Sequence, residues 1–444
     1  MDKTLLSLRA DWERFYAAAI RLTTGGRWAA SLPSWARVNL TWFWLDGFFS
    51  AACDNIVTTY LVLYILAMGA SSAQIGLMSS LSSLTAALLL LPGAILVERS
   101  GHHKQFCLVG GGLSRVVLVL LAALPVLLGG QTLIYIAIGV AVSRDAFTYL
   151  VYPAWMSITG DIVPIAGRGR FFASRNFVMG VAGMATTFLI GQVITHSGQP
   201  AGYQIGLLIA FGLGIISTIS FAQLRDPVKA VGTPKLAPLA IRTLIQDLKI
   251  QPGFIALLGT AALWNFSVNV PGPFFSVYQV RVLHASASMV GITSIAGSLA
   301  ALLVQPRLGA LADRWGARRL QLMSGLLIPV VPIAWAFART AWNIIPINFL
   351  SGGLWAAYNL AAFNYLLALI PDNMRARFSA VYQVVVMFSL SVGAAVGSLL
   401  LNQFGYAVIF WGSGIGRLAA ALLFASFSIV LVDKAPHSIK EDLM

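Results

Sequence analysis

Gly309-Ala310-Leu311-Ala312-Asp313-Arg314-Trp315-Gly316-Ala317-Arg318-Arg319 is a polar stretch between two apolar runs, and it has an echo earlier in the chain. About 215 positions before it, Ala94-Ile95-Leu96-Val97-Glu98-Arg99-Ser100-Gly101-His102-His103-Lys104 sets an acid, an arginine and a glycine at the same spacing. The same displacement lays Ala70-Ser71 on Ala285-Ser286, Gly76 on Gly291 and Ser83-Leu84 on Ser298-Leu299 without a gap. A displacement of about 207 lays Pro164 on Pro371, Arg168 on Arg375, Arg170-Phe171 on Arg377-Phe378 and Ala173 on Ala380. Self-similarity at a fixed period marks a duplicated unit, so the chain reads as two halves repeated in parallel.

The solvent of those halves follows from composition. Of 444 residues, 58% are hydrophobic and 10% charged, with a mean hydropathy of +0.82. No single soluble core hides that much apolar surface. Runs of about 20 apolar residues recur along the chain, each enough to cross ~30 Å of hydrocarbon. The predicted spans are 38–67, 72–97, 105–128, 131–160, 171–195 and 201–223, then 253–282, 287–311, 320–338, 342–370, 378–402 and 406–432. The fold class expected is therefore an all-α membrane protein of twelve transmembrane helices in two pseudo-symmetric six-helix bundles, at 36–224 and 253–433. Residues 1–35 mix Lys3, Arg9, Asp11, Glu13, Arg14, Arg21 and Arg27 with Leu5, Leu6, Leu8, Trp12, Phe15 and Ile20, and read as an interfacial amphipathic segment rather than a signal peptide. Residues 225–252, with four prolines, read as the linker, and 434–444 as a tail.

The net charge of +14 falls in short clusters between apolar runs rather than along one stripe, which argues for topology signals and against nucleic acid. One set of loops carries Arg99, Lys104, Arg168, Arg170, the linker's five basic residues, Arg314, Arg318, Arg319, Arg375 and Arg377. The alternate set holds only Arg281 and Arg339. Positive loops stay inside, so both termini are expected in the cytoplasm and the chain in the cytoplasmic (inner) membrane. Cys53 and Cys107 have no metal-type spacing and read as core packing, and no cofactor or metal is expected.

The stretch at 309–319 resembles the G-x-x-x-D-R-x-G-x-R-R loop of the major facilitator superfamily, and with the duplicated layout the resemblance covers essentially all of the chain after residue 35. Gly309 leaves no side chain where two helices would approach, Gly316 permits a tight turn, and Asp313 suits a nearby helix N-terminus. The earlier copy departs from the pattern: Ala94 replaces the leading glycine, Glu98 the aspartate, and His102, His103 and Lys104 stand where arginines are usual. The resemblance implies that each acid meets the start of a helix in the other half, Glu98 near Arg377 and Asp313 near Arg170, when the cytoplasmic side closes. It also implies that the first, fourth, seventh and tenth helices line a central cavity. The superfamily's proton-coupled drug exporters carry an arginine on the fourth helix and a Gly-Pro pair on the fifth. Here Arg144 is present, but the fifth helix offers Gly180, Gly183 and Gly191 with no proline, and Gly180 and Gly183, like Gly393 and Gly397, read as packing positions.

Ionisable residues inside spans mark candidate function, because the bilayer tolerates them only when they face a cavity or one another. They are Asp46, Asp54, Arg115, Arg144 and Asp145 in the first half and Arg417 in the second, with Arg281 and Arg307 near span ends. Counted at ~1.5 Å per residue, Asp46, Arg115 and the Arg144-Asp145 pair fall at roughly 12 to 24 Å from the cytoplasmic boundary and could share one level, a fixed ion network being the competing reading. Asp54 is left without an assigned partner, which makes it the expected protonation site, with Asp46, Arg144 and Asp145 tuning it. Arg115 and Arg417 lie on helices expected to be peripheral, and Arg417 reads as snorkelling or packing. The second half offers Asn265, Asn269, Asn359 and Asn364, which can bind a substrate or join helices, and the aromatic surface of Trp264, Phe274, Trp355 and Tyr365.

The leading expectation is a monomeric, proton-linked secondary transporter of a small organic solute, working by alternating access and not an enzyme. No G-x-x-x-x-G-K-[ST] occurs, which disfavours an ATP-driven pump. A membrane enzyme needs a His or Cys cluster, whereas His196, His284 and His437 are scattered and His102-His103 sit in a basic loop. A sensor built on a transporter fold remains the other alternative.

Overall fold

The computed structural model describes residues 23–24, 26–225, 251–370 and 375–434. The amphipathic segment, most of the linker and the tail lie outside the described residues. Among those described there is no strand.

The first half consists of α1 (Ser34–Ala67), α2 (Ser72–Ser100), α3 (His103–Leu127), α4 (Gly130–Ile162), α5 (Arg168–Ser197) and α6 (Ala201–Ala222). The second consists of α7 (Pro252–Asn269), α8 (Phe274–Arg281), α9 (Ala287–Leu327), α10 (Val330–Ala336), α11 (Ala341–Leu369) and α12 (Arg375–Lys434). Nine segments of the described residues are long and apolar enough to cross a bilayer. Two of these, of 50 and 52 residues, would span about 75 Å as straight helices, far more than hydrocarbon requires. Each is broken by a glycine, Gly316 (φ 75°, ψ 154°) in α9 and Gly405 (φ 79°, ψ −177°) in α12. Dividing there and counting the more polar α11 accommodates the twelve expected spans. The expected seventh span departs from the reading in one respect: Pro271-Gly272-Pro273 interrupts it between α7 and α8, because proline supplies no amide to the ladder.

The duplication is visible in backbone geometry. Six of the eight positive-φ positions among the described residues pair across the halves, Gly69 (φ 95°) with His284 (φ 50°), Gly101 (φ 63°) with Gly316, and Gly198 (φ 73°) with Gly405, while Gly26 and Gly130 have no counterpart. The helix starts pair as well, since the Ser71 hydroxyl accepts from the Gln74 amide and Ser286 from Met289, each satisfying a donor the first turn leaves free. Gly76 lies against Phe274 of α8 and Gly291 against Tyr60 of α1, so α1 corresponds to α7 and α8 together at a displacement of 214.

The halves meet where α2 packs on the part of α12 before Gly405 and α5 on the part of α9 before Gly316. Among the described residues, their hydrophobic cores merge at one end and not at the other. One continuous core runs from Tyr60, Tyr64 and Ile75 of the first half to Phe274, Tyr278, Trp335 and Phe410 of the second. At the end carrying the 98–104 and 313–319 loops, the core splits into a first-half cluster around Phe43 and Phe171 and a second-half cluster around Phe254 and Phe378. Outward-facing Leu88, Val109, Val126, Leu189 and Leu303 are more than half exposed, as hydrocarbon contact requires.

Candidate functional site

Asp54, in the middle of α1, is the centre of an ion cluster. Its Oδ1 accepts from Arg115 Nη1 of α3 at 2.7 Å and from Arg144 Nη2 of α4 at 2.8 Å, and its Oδ2 accepts from the Ser50 hydroxyl at 3.0 Å. Arg144 Nη1 also reaches Asp145 Oδ1 at 3.2 Å. The carboxylate of Asp54 is 44% exposed, while the arginines are only 11% and 12% exposed. Two predictions are thereby corrected. Asp54 is not without a partner, and Arg115 is no bystander. The reason is lateral reach: Arg115 extends across Gly214 of α6, where a Cβ would come within 2.5 Å of its Cδ, and counting depth along helix axes does not reveal such a path.

Asp46 does not join this level. Its Oδ2 pairs with Arg175 Nη2 of α5 at 3.2 Å and its Oδ1 accepts from Ser217 of α6 at 2.8 Å, with both charged side chains under 10% exposed. Arg175 also donates to the Phe43 carbonyl at 3.1 Å and lies 4.3 Å from that ring's centroid. The sequence reading missed Arg175 although it falls inside the 171–195 span, because Arg168 and Arg170 just before it read as one basic cluster at a loop.

The asparagines separate into two kinds. Asn269 donates to the Leu390 carbonyl of α12 at 2.7 Å and so joins two helices, whereas Asn265 donates to the Ala261 carbonyl of its own helix at 2.8 Å. Asn359 and Asn364 are exposed and carry no such bond. Trp264 stacks on Tyr358 (4.4 Å, 13°) and meets Trp355 edge-on (6.0 Å, 67°). Arg417 is 2% exposed, which excludes snorkelling.

At the joined end, Arg281 Nη1 donates to Ser72 at 3.2 Å and its Nη2 to the Ala70 carbonyl, while Ser288 bonds Thr195 at 2.7 Å and the Gly191 carbonyl at 2.9 Å. Midway, Ser80 and Ser391 pair at 3.1 Å. At the other end, Glu98, Arg99, Arg170, Asp313, Arg314 and Arg319 make no such tie. All six are exposed, and no atom approaches a Cβ placed on Gly309. The close approach expected at Gly309 is absent because the halves stand apart there. Gly101 and Gly316 make the expected turns, and Arg318 hydrogen-bonds Ser428 at 2.9 Å. Arg377 is half-buried. Gly183 packs against Asn55, and Gly393 and Gly397 against the Phe266 and Val270 carbonyls, as packing glycines should.

Two membrane-embedded halves around a charged cluster, tied together at one end and parted at the other, are the architecture of a membrane transporter. Residues 43–281 and 257–442 match the Major Facilitator Superfamily, and the chain belongs to that family. Among curated relatives, the multidrug resistance protein MdtG of Salmonella arizonae is 23% identical over 398 residues, spanning 85% of this chain and 92% of the relative, and that of Salmonella paratyphi B matches to the same extent. Among solved structures, a mutant of the nucleoside transporter NupG superposes with a TM-score of 0.72 at 11% identity, over 88% of this chain and 99% of that one. An inward-facing, unoccupied bacterial homologue of the human lysosomal transporter Spinster gives 0.62 at 15% identity, over 89% and 96%.

Proposed function

We propose that the protein is a secondary active transporter of a small organic solute that works by alternating access and couples to protons through Asp54, Arg115, Arg144 and Asp145. The observation that carries this reading is the exposed carboxylate of Asp54 held by two nearly buried arginines at mid-helix. A charge does not face hydrocarbon, so its exposed side is the space between the halves. A proton arriving on Asp54 removes the anion that gathers both guanidinium groups, leaving them to rearrange or to meet a solute. Asp46, locked with Arg175 and Ser217, is structural and no longer part of the site.

The distribution of basic loops puts the 98–104 and 313–319 loops, both termini and the 225–252 linker in the cytoplasm of a cell with an inner membrane. The tied end then faces outward and the cavity opens inward. Alternation requires the Arg281 and Ser288 contacts to break while Asp313 approaches the start of α5 and Glu98 the start of α12. The helix starts there carry Arg170 and Arg377, whose charge the dipole disfavours, so each gains from an incoming acid. The relatives' name, multidrug resistance protein, supports an organic cargo, and the site lies within a single chain, as a monomer requires.

Reconstituted Asp54→Asn protein is expected to bind and passively exchange solute but to lose accumulation driven by ΔpH. Accumulation against a gradient by that variant would refute the assignment and pass the role to Asp145.

A further inference from the structure

The three arginines at mid-span in the first half each have a carboxylate: Arg115 and Arg144 share Asp54, Arg144 also meets Asp145, and Arg175 has Asp46. Arg417, in α12, has none. It is 2% exposed, its one hydrogen bond is a long 3.4 Å contact from Nη2 to the Val268 carbonyl, and its Nε has no partner. The sequence shows why. Between Pro252 and Lys434 the sequence holds three acids, Asp313, Asp372 and Asp433; Asp313 belongs to the signature loop, and Asp433 is about 24 Å along the helix from Arg417 at ~1.5 Å per residue. The anion that neutralises Arg417 must come from outside this half, and the first half's buried acids are already engaged.

The surroundings occupy the place of the other half's ion cluster, with its acid and one of its arginines replaced and Arg417 entering from a different helix. At the displacement of 214 that relates α1 to α7, Asp54 corresponds to Val268, whose carbonyl Arg417 touches. Asn55, against Gly183, corresponds in the same register to Asn269, which bonds Leu390. Gly129 and Thr340, the residues before α4 and α11, set a displacement of 211 that places Trp355 where Arg144 stands. The Arg417 guanidinium lies 6.0 Å from the Trp355 ring centroid, and Trp355 itself is half-exposed. One turn further along α12, Ala420 and Ala421 border a cavity of about 20 Å³ together with Trp264, Tyr358 and Gln321, while Arg417 and Trp355 do not line it. The cavity is room for a water and a starting point for expansion. A buried ion without a partner costs several kcal/mol, and an aromatic face offsets only part of that.

We propose that Arg417 and Trp355 form a subsite for an organic anion, the negative group (carboxylate, phosphonate or sulfonate) meeting the guanidinium and the apolar body lying on the Trp355–Trp264 surface. Cargo status for that anion rests on the transport reading above. Its binding does not. The guanidinium is enclosed by α7, α11 and α12 rather than facing lipid, so a solute is its partner and not a lipid headgroup.

The probes that test this are 8-anilinonaphthalene-1-sulfonate and N-phenyl-1-naphthylamine, which share a ring system and differ by the sulfonate. Energy transfer from protein tryptophans is titrated in full-length protein in phosphatidylcholine nanodiscs, with empty discs subtracted. The wild type is expected to bind the sulfonate at least tenfold more tightly than the uncharged probe. Arg417→Met is expected to remove that preference and leave the uncharged probe within twofold, and it should fold, because an apolar side chain replaces an unpaired ion. Val268→Asp tests the same point without deleting the arginine, since an internal carboxylate at the position of Asp54 should displace the sulfonate. Retention of the preference in either variant, or its absence in the wild type, overturns the proposal, as does its disappearance when phosphatidylglycerol is added to the discs. A transporter whose Asp54→Asn variant still accumulates solute, yet shows the sulfonate preference, would lose the coupling assignment and keep this one.

Discussion

The Asp46–Arg175 pair offers the most direct energetic test, because both partners are buried and each has a countable set of contacts. Asp46→Ala leaves Arg175 with the Phe43 carbonyl and the faces of Phe43 and Trp155 but no counter-ion. Arg175→Met leaves the Asp46 carboxylate with the Ser217 hydroxyl alone. Gly47, beside Asp46, confirms how closely the arginine lies on α1, since a Cβ there would come 2.6 Å from its Nε. Stranding one member of a buried pair costs about 3–5 kcal/mol, whereas replacing both by apolar groups is close to neutral. Each single variant should therefore lose at least about 3 kcal/mol, and the double variant Asp46→Ala/Arg175→Met should recover most of it, a coupling of about 3 kcal/mol or more. Unfolding in mixed micelles, followed by tryptophan fluorescence, closes the cycle. Coupling below about 0.5 kcal/mol, the usual margin of additivity, would refute the claim that the two charges hold each other.

Gly101→Val and Gly316→Val place a branched side chain at φ 63° and 75°, and each should cost about 1–2 kcal/mol in the same unfolding assay; a neutral result would mean the turn relaxes to negative φ. Thr195→Cys/Ser288→Cys joins positions whose hydroxyls are 2.7 Å apart across the halves, so oxidation should stop solute exchange and reductant restore it, and a cross-linked protein that still exchanged would rule out separation at that end.

Much of this fold was legible before any coordinates, because the signals that carry it are local. Apolar run length sets the spans, and the repeated Gly101/Gly316 and Ser71/Ser286 positions fix turns and caps through the backbone alone. The Gly101/Gly316 and Gly198/Gly405 pairs show duplication preserving such local features. Pro271-Gly272-Pro273 was local too, yet it was read through, because hydropathy averaged over a window dilutes a break of a few residues. Ion partners were less legible. Asp54, Arg115 and Arg144 come from three helices, and their meeting depends on an arginine passing over a glycine of a fourth, a lateral relation that no count along one helix contains.

The two halves share a backbone plan and differ in chemistry, and that difference has a physical consequence. Every buried charge of the first half is compensated within it, so its helices can be held as one body by ion pairs such as Asp46–Arg175. The second half is held instead by close glycine contacts, Gly393 on Phe266 and Gly397 on Val270, and by the Trp264–Tyr358 stack, none of which responds to a proton. On the proposed coupling, protonation acts directly on the first half. For it to move the other, the effect has to cross the α2–α12 and α5–α9 seams, where the Ser80–Ser391 and Thr195–Ser288 contacts are short, uncharged and exchangeable. A seam of that kind can shear at little cost, whereas an ion pair across it would bind the halves in one position.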